Sequence, residues 1–319
     1  MKRIATALKT LGHPDRLRLL ALLSQGELTV SELVKILDLS QPRVTQYIKS
    51  LEEAGIIERM REGSWVFSRL RQDNAGVSAV VATALATLPY NDADLAADRA
   101  RLSDVRAERS RQAEAFFASV ANDREQLGHE YLPQADIEAA MLALLPEAVL
   151  GFMVDLGTGT GRMLEVFAPH IDRGAGVDAS ADMLRVARHT LAETAFDHLS
   201  VQQADLTQTK LSAGSADLVT LHQVLHFLDD PILAIREAAR LLAPEGHLLL
   251  TDFEHHTLEN YREDYAHRRL GFEETEIARY LSETGLDLQS VSAVPSGKAD
   301  TPTVKIWHAR KPAAKLATG

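Results

Sequence analysis

The stretch Val154-Asp155-Leu156-Gly157-Thr158-Gly159-Thr160-Gly161 closes an apolar run and opens a helical one. Glycine at three alternate positions lets the backbone pass close to a ligand and leaves the N–H groups of the following helix facing it. Working outward, apolar runs at 150–155, 174–178, 199–203, 216–221 and 246–252 predict strands, and helical segments separate them. That alternation implies an α/β unit with a mostly parallel sheet covered by helices on both faces. The glycine stretch then falls at the carboxyl end of the first strand, where sheets of this kind bind ligands.

Acids recur at the equivalent point of the next strands. Gly176-Val177-Asp178 puts a carboxylate where it can accept both hydroxyls of a ribose. Val201-Gln202-Gln203-Ala204-Asp205-Leu206 ends the third strand in an acid placed to meet an adenine amino group, and Asp217-Leu218-Val219 lies in the fourth. The strict G-x-G-x-x-G order of nicotinamide-binding folds is missing. The ordered series resembles class I S-adenosylmethionine-dependent methyltransferases over about residues 130–310. The resemblance implies a Rossmann-like domain that binds S-adenosylmethionine or S-adenosylhomocysteine. Gly157, Gly159 and Gly161 would lie along the methionine part with Thr158, and Asp155 near its amino group. Asp178 would bind the ribose beside Ala179, Met183 would pack on the adenine, Asp205 would meet its edge beside Leu206, and His222 would line the pocket.

Methyl transfer needs a nucleophile held in line, and sometimes a base. Leu221-His222-Gln223-Val224-Leu225-His226 follows the fourth strand, making His222 and His226 the catalytic candidates. The competing readings are that His222 only walls the cofactor pocket and that His226 caps the next helix. His267, Arg268 and Arg269 either bind an acidic substrate or pair with Glu263 and Asp264. No helix-spaced pair of histidines supplies a clear site, His222 and His226 spanning the expected end of a strand, and no metal is expected. Asp229-Asp230-Pro231-Ile232 departs from the loop of DNA amino-methyltransferases, and the chain has no cysteine for carbon-5 or arsenite methylation. A small-molecule acceptor remains open.

The N-terminal quarter reads differently. Pro14 to Ser24 forms a helix with Leu17, Leu20 and Leu23 inside, ended by Gly26. Thr29 with Glu32 is a capping-box pattern ahead of Val30, Leu33, Val34 and Leu37. Ser40 is the next N-cap, Pro42 falls in the first turn, Val44, Ile48 and Leu51 form the buried stripe, and Gly55 ends the helix. Strand-like runs at 56–61 and 65–70 flank Glu62-Gly63-Ser64, a hairpin signal. Two helices joined by a short turn, the second polar and basic outside, form a helix-turn-helix with a wing. Ser40, Gln41, Arg43, Thr45 and Gln46 face base edges, with Gln41, Arg43 and Gln46 as the base readers. Lys49, Arg59, Arg61 and Arg69 are phosphate candidates.

Leu11-Gly12-His13-Pro14-Asp15-Arg16-Leu17-Arg18-Leu19-Leu20 resembles the opening helix of ArsR-type regulators. Ser40-Gln41-Pro42-Arg43-Val44-Thr45-Gln46-Tyr47-Ile48-Lys49-Ser50-Leu51 resembles their recognition helix, and Ala54-Gly55-Ile56-Ile57 its exit into the wing. The resemblance covers about residues 4–85 and implies a homodimer on double-stranded palindromic operator DNA, joined through terminal helices. The stripe Val77, Val80, Val81, Ala84, Leu85 and Leu88 would then be a dimer surface; its alternative is packing within one subunit. Without cysteine, thiolate sensing of metals is excluded, and His13 reads as a turn or capping residue.

Charge follows this division. Residues 1–71 carry 12 Lys/Arg against 8 Asp/Glu, whereas the remainder carries 22 against 37, so the overall −11 hides a basic N-terminal surface suited to phosphate. No run approaches the ~20 apolar residues of a membrane span, and no leader pattern opens the chain, so a cytoplasmic location without membrane contact is expected. The expected organisation is a winged helix-turn-helix over 1–90, a helical linker over 91–129, a methyltransferase-like domain over 130–311 and a disordered tail over 312–319. The linker has a sparse seam of Leu102, Val105, Phe116, Val120 and Leu127, read either as a solvated spacer or as a coiled seam between subunits. The function expected is transcriptional regulation tuned by S-adenosylmethionine or S-adenosylhomocysteine, with methionine or methyl-cycle genes as targets. The alternative is an active small-molecule methyltransferase that carries its own DNA-binding domain.

Overall fold

A computed structural model describes residues 2–62, 65–71, 75–89, 91–120, 133–296 and 301–313. The hairpin residues Gly63 and Ser64, the seam side chains Phe116, Val120 and Leu127, and the tail from 314 lie outside the described residues and side chains. The chain forms two compact units, Met1–Gln112 and Ala113–Gly319. Among the described residues no helix is long and apolar enough to cross a membrane.

The first unit runs α1 (Lys2–Leu11), α2 (Pro14–Leu23), β1 (Leu28–Thr29), α3 (Val30–Leu37), α4 (Gln41–Glu53), β2 (Ile57–Glu62), β3 (Trp65–Leu70), α5 (Ala75–Ala86) and α6 (Ala93–Val120). His13 is the N-cap of α2, its Nδ1 accepting the Asp15 N–H at 3.2 Å. The capping box before α3 is complete: Thr29 Oγ1 accepts the Glu32 N–H at 3.3 Å and Glu32 Oε2 accepts the Thr29 N–H at 2.9 Å. Asp38, in the left-handed region at φ 54°, ends α3 and turns the chain into α4. Ser40 holds the N-cap position of α4, but its side chain makes no capping bond. Leu19, Leu20, Leu33, Ile36, Val44, Ile48 and Leu51 form the core, and β1, β3 and β2 make an antiparallel sheet beside it.

Two expectations shift here. Val77 and Val81 of α5 are buried in this core, so these two residues of the stripe pack within one subunit, while Val80, Ala84, Leu85 and Leu88 stay partly exposed. The first turns of α6 also belong to this unit, because Leu102 and Val105 join the core while buried Asp98 accepts from Arg18 Nε and Nη2, each at 2.7 Å. The N-terminal unit thus reaches Gln112, past the expected limit of 90.

The second unit runs α7 (Gln134–Leu142), β4 (Leu150–Leu156), α8 (Arg162–Phe167), β5 (Ile171–Asp178), α9 (Ala181–Ala192), β6 (Leu199–Gln203), β7 (Ala216–His222), α10 (Pro231–Leu241), β8 (Leu242–Phe253), α11 (Asn260–Tyr265), α12 (Glu274–Glu283), β9 (Asp287–Val294) and β10 (Val304–Arg310). The sheet order is β6-β5-β4-β7-β8-β10-β9; the first five strands are parallel, and β10 lies antiparallel between β8 and β9. Successive side chains of a strand face opposite sides. Val154, Val219, Leu248 and Leu250 accordingly enter one core, while Met153, Leu218 and Leu249 enter the other. All five expected strands are present. Charged Asp172 and Arg173 mask the start of β5, and Pro244-Glu245-Gly246 masks that of β8. Strands β9 and β10 have no counterpart among the predicted runs: β9 is largely exposed, and the buried residues of β10 alternate with Lys305, His308 and Arg310.

Candidate functional site

The glycine stretch leaves β4 and is stitched to β5, with Gly157 N and Thr158 N donating to Val177 O at 2.8 and 3.0 Å. Gly157 has φ +78°, and a Cβ there would lie 2.5 Å from Val224 Cγ2, so the loop after β7 closes on it. Gly161, at φ 84°, is the N-cap of α8. At Gly159 a Cβ would meet nothing within 4 Å: this is the open part of the cradle. Its N–H donates to Asp178 Oδ2 at 2.8 Å, and Asp178 Oδ1 accepts the Ser180 N–H at 2.8 Å. Burial holds Asp178 above the ordinary carboxylate range. Each oxygen keeps a second lone pair for a ligand hydroxyl.

Asp155 is 1 % exposed, and its Oδ1 accepts from Thr220 Oγ1 at 2.6 Å. Its buried Oδ2 has the Thr158 hydroxyl as a neighbour, without completing a well-formed hydrogen bond. Burial pushes the Asp155 carboxyl up to about 6, against the lowering pull of the Thr220 and Thr158 hydroxyls. A buried carboxylate with hydroxyl neighbours but no counter-charge, on an open glycine stretch, fits the ammonium of an amino-acid-like ligand, because an ion pair would supply the charge that folding leaves uncompensated. Met183 is buried in the first turn of α9, its N–H bonded to Ser180 Oγ at 3.3 Å. Ala179 is exposed, and its carbonyl accepts from Gln203 Nε2 at 2.8 Å. Asp205 is exposed and Leu206 buried; Asp205 Oδ1 accepts both the N–H and the hydroxyl of Thr207, at 2.8 and 2.7 Å.

His222 ends β7 with both ring nitrogens engaged. Nδ1 lies 2.7 Å from Thr251 Oγ1, and Nε2 lies 3.4 Å from Gln134 Nε2. The Gln134 amide also donates to Glu138 Oε1 at 3.0 Å, which fixes its nitrogen on that side. An amide nitrogen only donates, so His222 Nε2 accepts and Nδ1 carries the proton. Burial alone would raise Glu138, but bonds from Arg162, at 2.8 Å to each oxygen, and from Gln134 outweigh it and hold this acid below its usual range. Thus α7 is tied both to the end of β7 and to the start of α8. Gln223, the next residue, is left-handed at φ 53°. Such strain in a non-glycine residue costs of order 1–3 kcal/mol and clusters at functional sites.

His226 caps nothing by its side chain. It is buried with Nδ1 2.7 Å from Oδ1 of buried Asp252, at the end of β8. Its ring stacks on His267 at 3.9 Å and lies 4.1 Å from Phe227 and 5.3 Å from Phe253. Burial holds His267 well below the normal imidazole range and lowers His256 to about 4. Arg268 pairs with Asp229 at 2.8 Å and Arg269 with Glu276 at 2.9 Å, in place of the expected Glu263 and Asp264. Sequence reasoning misses Asp252, Thr251, Thr220 and Gln134. Asp252 alone carries a usable signal, being an acid at a strand end like Asp155 and Asp178.

On α4, Ser40, Gln41, Arg43, Thr45, Gln46 and Lys49 are exposed while Val44, Tyr47 and Ile48 are buried. Arg43 is held in place, donating to Tyr47 Oη at 2.8 Å and pairing with Asp15 at 2.8 Å. Arg61 is exposed on β2, and Arg59 pairs with Glu52 at 2.6 Å. Arg69 departs most from its expected phosphate role. Its side chain is 19 % exposed and bridges Glu58 at 2.6 Å and Glu27 at 3.2 Å. The cause is register: Glu58 stands directly opposite Arg69 in the β2–β3 ladder.

Comparison with known proteins follows the same division. Residues 13–59 match the family model described as bacterial regulatory protein, arsR family, and residues 154–250 match that of a methyltransferase domain. The biofilm growth-associated repressor of Agrobacterium fabrum is 47 % identical over 72 residues, 23 % of this chain and 62 % of that protein. The uncharacterized methyltransferase YcgJ of Bacillus subtilis is 31 % identical over 100 residues, 31 % of this chain and 40 % of that one. The chain thus spans less than two thirds of either curated relative. The crystal structure of N-methyltransferase NodS from Bradyrhizobium japonicum WM9 in complex with S-adenosyl-l-homocysteine superimposes with a TM-score of 0.53 at 20 % identity, covering 63 % of this chain and 98 % of that one. At that identity the likeness is one of fold.

Proposed function

For a chain in which an ArsR-type winged helix is joined to a methyltransferase domain, we propose a cytoplasmic transcriptional regulator, a homodimer on operator DNA, whose DNA affinity is set by S-adenosylmethionine or S-adenosylhomocysteine. The carrying observation is the buried Asp155 carboxylate, whose Oδ2 has the Thr158 hydroxyl but no cation for a partner, on the glycine stretch that is open at Gly159. Asp155 takes the ligand's ammonium, and Gly157, Thr158, Gly159 and Gly161 run along its methionine part. Asp178 takes the ribose, Ala179, Met183, Asp205 and Leu206 frame the adenine, and His222 walls the sulfur end. When bound, S-adenosylmethionine supplies a sulfonium methyl; S-adenosylhomocysteine lacks that methyl and its charge. The outward residues of α4 read the operator, with Lys49, Arg59 and Arg61 toward phosphate. Ile4 and Leu8, exposed on α1 beside α5, supply apolar area for the dimer. Methionine or methyl-cycle genes suit a sensor of this metabolite pair.

The test is operator binding by fluorescence anisotropy at fixed salt, with each ligand in turn. The two ligands are expected to change affinity unequally, by about tenfold or ~1.4 kcal/mol. Equal operator affinity with either ligand bound, and without ligand, overturns the proposal, since a ligand with no preference between states shifts nothing. A second reading, active methyl transfer to a small molecule, is favoured by the buried His226–Asp252 pair.

A further inference from the structure

The ends of β7 and β8 hold more polar chemistry than cofactor binding uses. Asp252 accepts from His226 Nδ1 at 2.7 Å, the Phe253 N–H at 2.8 Å and the His226 N–H at 3.3 Å. A carboxylate receiving three donors is in its acceptor form, so Nδ1 carries the imidazole proton and Nε2 keeps its lone pair. His256 is arranged the opposite way. Its Nδ1 accepts the Leu258 N–H at 3.2 Å, so its proton sits on Nε2, which is buried without a partner. His267 Nδ1 is likewise buried without a partner, on a residue 7 % exposed whose ring stacks against His226. A basic nitrogen and two orphaned polar atoms thus share one cluster. The loop behind His226 touches the glycine stretch, where Val224 closes on Gly157.

We propose that this cluster is the acceptor site for methyl transfer to a hydroxyaryl compound. His226 takes the hydroxyl proton, Asp252 positions His226, and the Nε2–H of His256 donates to a second oxygen of the ligand. The inference rests on the methyl-transfer reading above. Three features select the ligand class. Phe253 and Tyr261 meet edge to face at 5.6 Å, as do Phe227 and His267 at 5.2 Å, which surrounds the cluster with aromatic rings. A base backed by a carboxylate serves an acceptor that loses a proton, which a carboxylate acceptor does not. The orphaned donor of His256 calls for an acceptor atom beside the reacting group. In the step, the O–H bond breaks and its proton goes to His226 Nε2. The oxygen's electron pair forms the new O–C bond as the C–S bond of the sulfonium breaks to leave a neutral thioether. The imidazolium, held by Asp252, then returns its proton to water.

The probe is 4-nitrocatechol, planar, with adjacent oxygens and a visible band that reports ionisation. It is titrated into the full chain without S-adenosylmethionine, in mildly acidic buffer where the free probe is mostly protonated. The expected result is saturable binding with the phenolate band. Asp252→Asn should bind the probe as the neutral phenol, and His226→Asn should lose the band. His256→Phe should keep the band but bind at least tenfold more weakly. No saturable binding to the wild-type protein, or the same bound spectrum in wild type and His226→Asn, overturns the proposal. Circular dichroism melts check that each variant folds; where one does not, the wild-type spectrum decides. Binding of S-adenosylhomocysteine is measured on the same samples. If it fails, the methyltransferase reading falls too; if it holds while the probe fails, only the acceptor assignment falls.

Discussion

Asp155 shows how one buried atom couples stability, pH and ligand. Burial raises its carboxyl from 3.8 to about 6. A group whose folded pKa is raised contributes stability fully below its unfolded pKa and loses it as pH rises through the folded one. The ligand-free fold is therefore expected to lose roughly 3 kcal/mol from this group between about pH 4 and pH 6, at 1.36 kcal/mol per unit. Asp155→Asn should be more stable than the parent at pH 7.5 by up to that amount and no more stable near pH 4, as measured by urea unfolding. The same substitution should abolish S-adenosylhomocysteine binding, because the ammonium loses its counter-charge. A cationic ligand favours the ionised form, so binding at pH 5 should release a proton and be weaker than at pH 7; calorimetry in two buffers of different ionisation enthalpy reads this directly. Asp155 and Asp178 are legible in the sequence because each stands at the end of a short apolar run, Asp155 just ahead of the glycine stretch that marks it. Asp252 stands at the same point of β8, but it sits inside Leu248-Leu249-Leu250-Thr251-Asp252-Phe253, where the apolar run continues past it. Its role emerges only once His226 is folded against it.

At the scale of elements, the hairpin and α6 show what a linear reading misses. In the sequence Arg69 is one basic residue among several on the wing; strand pairing sets Glu58 opposite it. Lys49, by contrast, stays 72 % exposed. Removing one lysine–phosphate pair makes the slope of log K against log salt shallower by about 0.9. Lys49→Ala is therefore expected to flatten the salt dependence of operator binding by about that much. Arg69→Ala should leave the slope unchanged and lower unfolding stability, by about 1–3 kcal/mol for a partly buried charge-assisted bond. The early turns of α6 read as linker in the sequence because their apolar residues are sparse. They are nevertheless anchored, since Leu102 and Val105 are buried and Asp98 neutralises Arg18. Removing one partner of a buried pair costs ~3–5 kcal/mol. Asp98→Ala should thus destabilise the 1–112 unit by about 3 kcal/mol, Asp15 remaining near Arg18 as a second counter-charge. Differential scanning calorimetry should show the loss in the transition of this unit only.

Across the whole molecule, residues 1–71 are net basic and the remainder net acidic, and that division is visible in the sequence. The limits of the units are not, because a boundary depends on which helical residues find a core and not on where the apolar pattern weakens. The two units act on each other only if each ligand prefers one arrangement of the protein. The two candidate metabolites differ by one methyl and one positive charge, so a difference between them must arise where the sulfur lies. On the proposed binding mode His222 walls that end, and Gln134 ties His222 to α7, the first described element after residue 132. Linkage makes the coupling measurable from either side: the factor by which a metabolite changes operator affinity equals the factor by which operator changes metabolite affinity. If S-adenosylhomocysteine shifts operator affinity about tenfold, saturating operator must shift its own dissociation constant about tenfold in the same direction. Gln134→Ala removes the tie to His222 while leaving the glycine cradle and α4 intact. It is expected to leave each separate affinity within about twofold and to reduce the coupling factor toward one, since coupling lives in the connection and not in either site. Calorimetric titration of the metabolite with and without operator, in wild type and variant, gives all four constants. An unreduced factor in the variant would mean that the signal leaves the cofactor site by another route, with the loop from Gln223 to His226 the next to test.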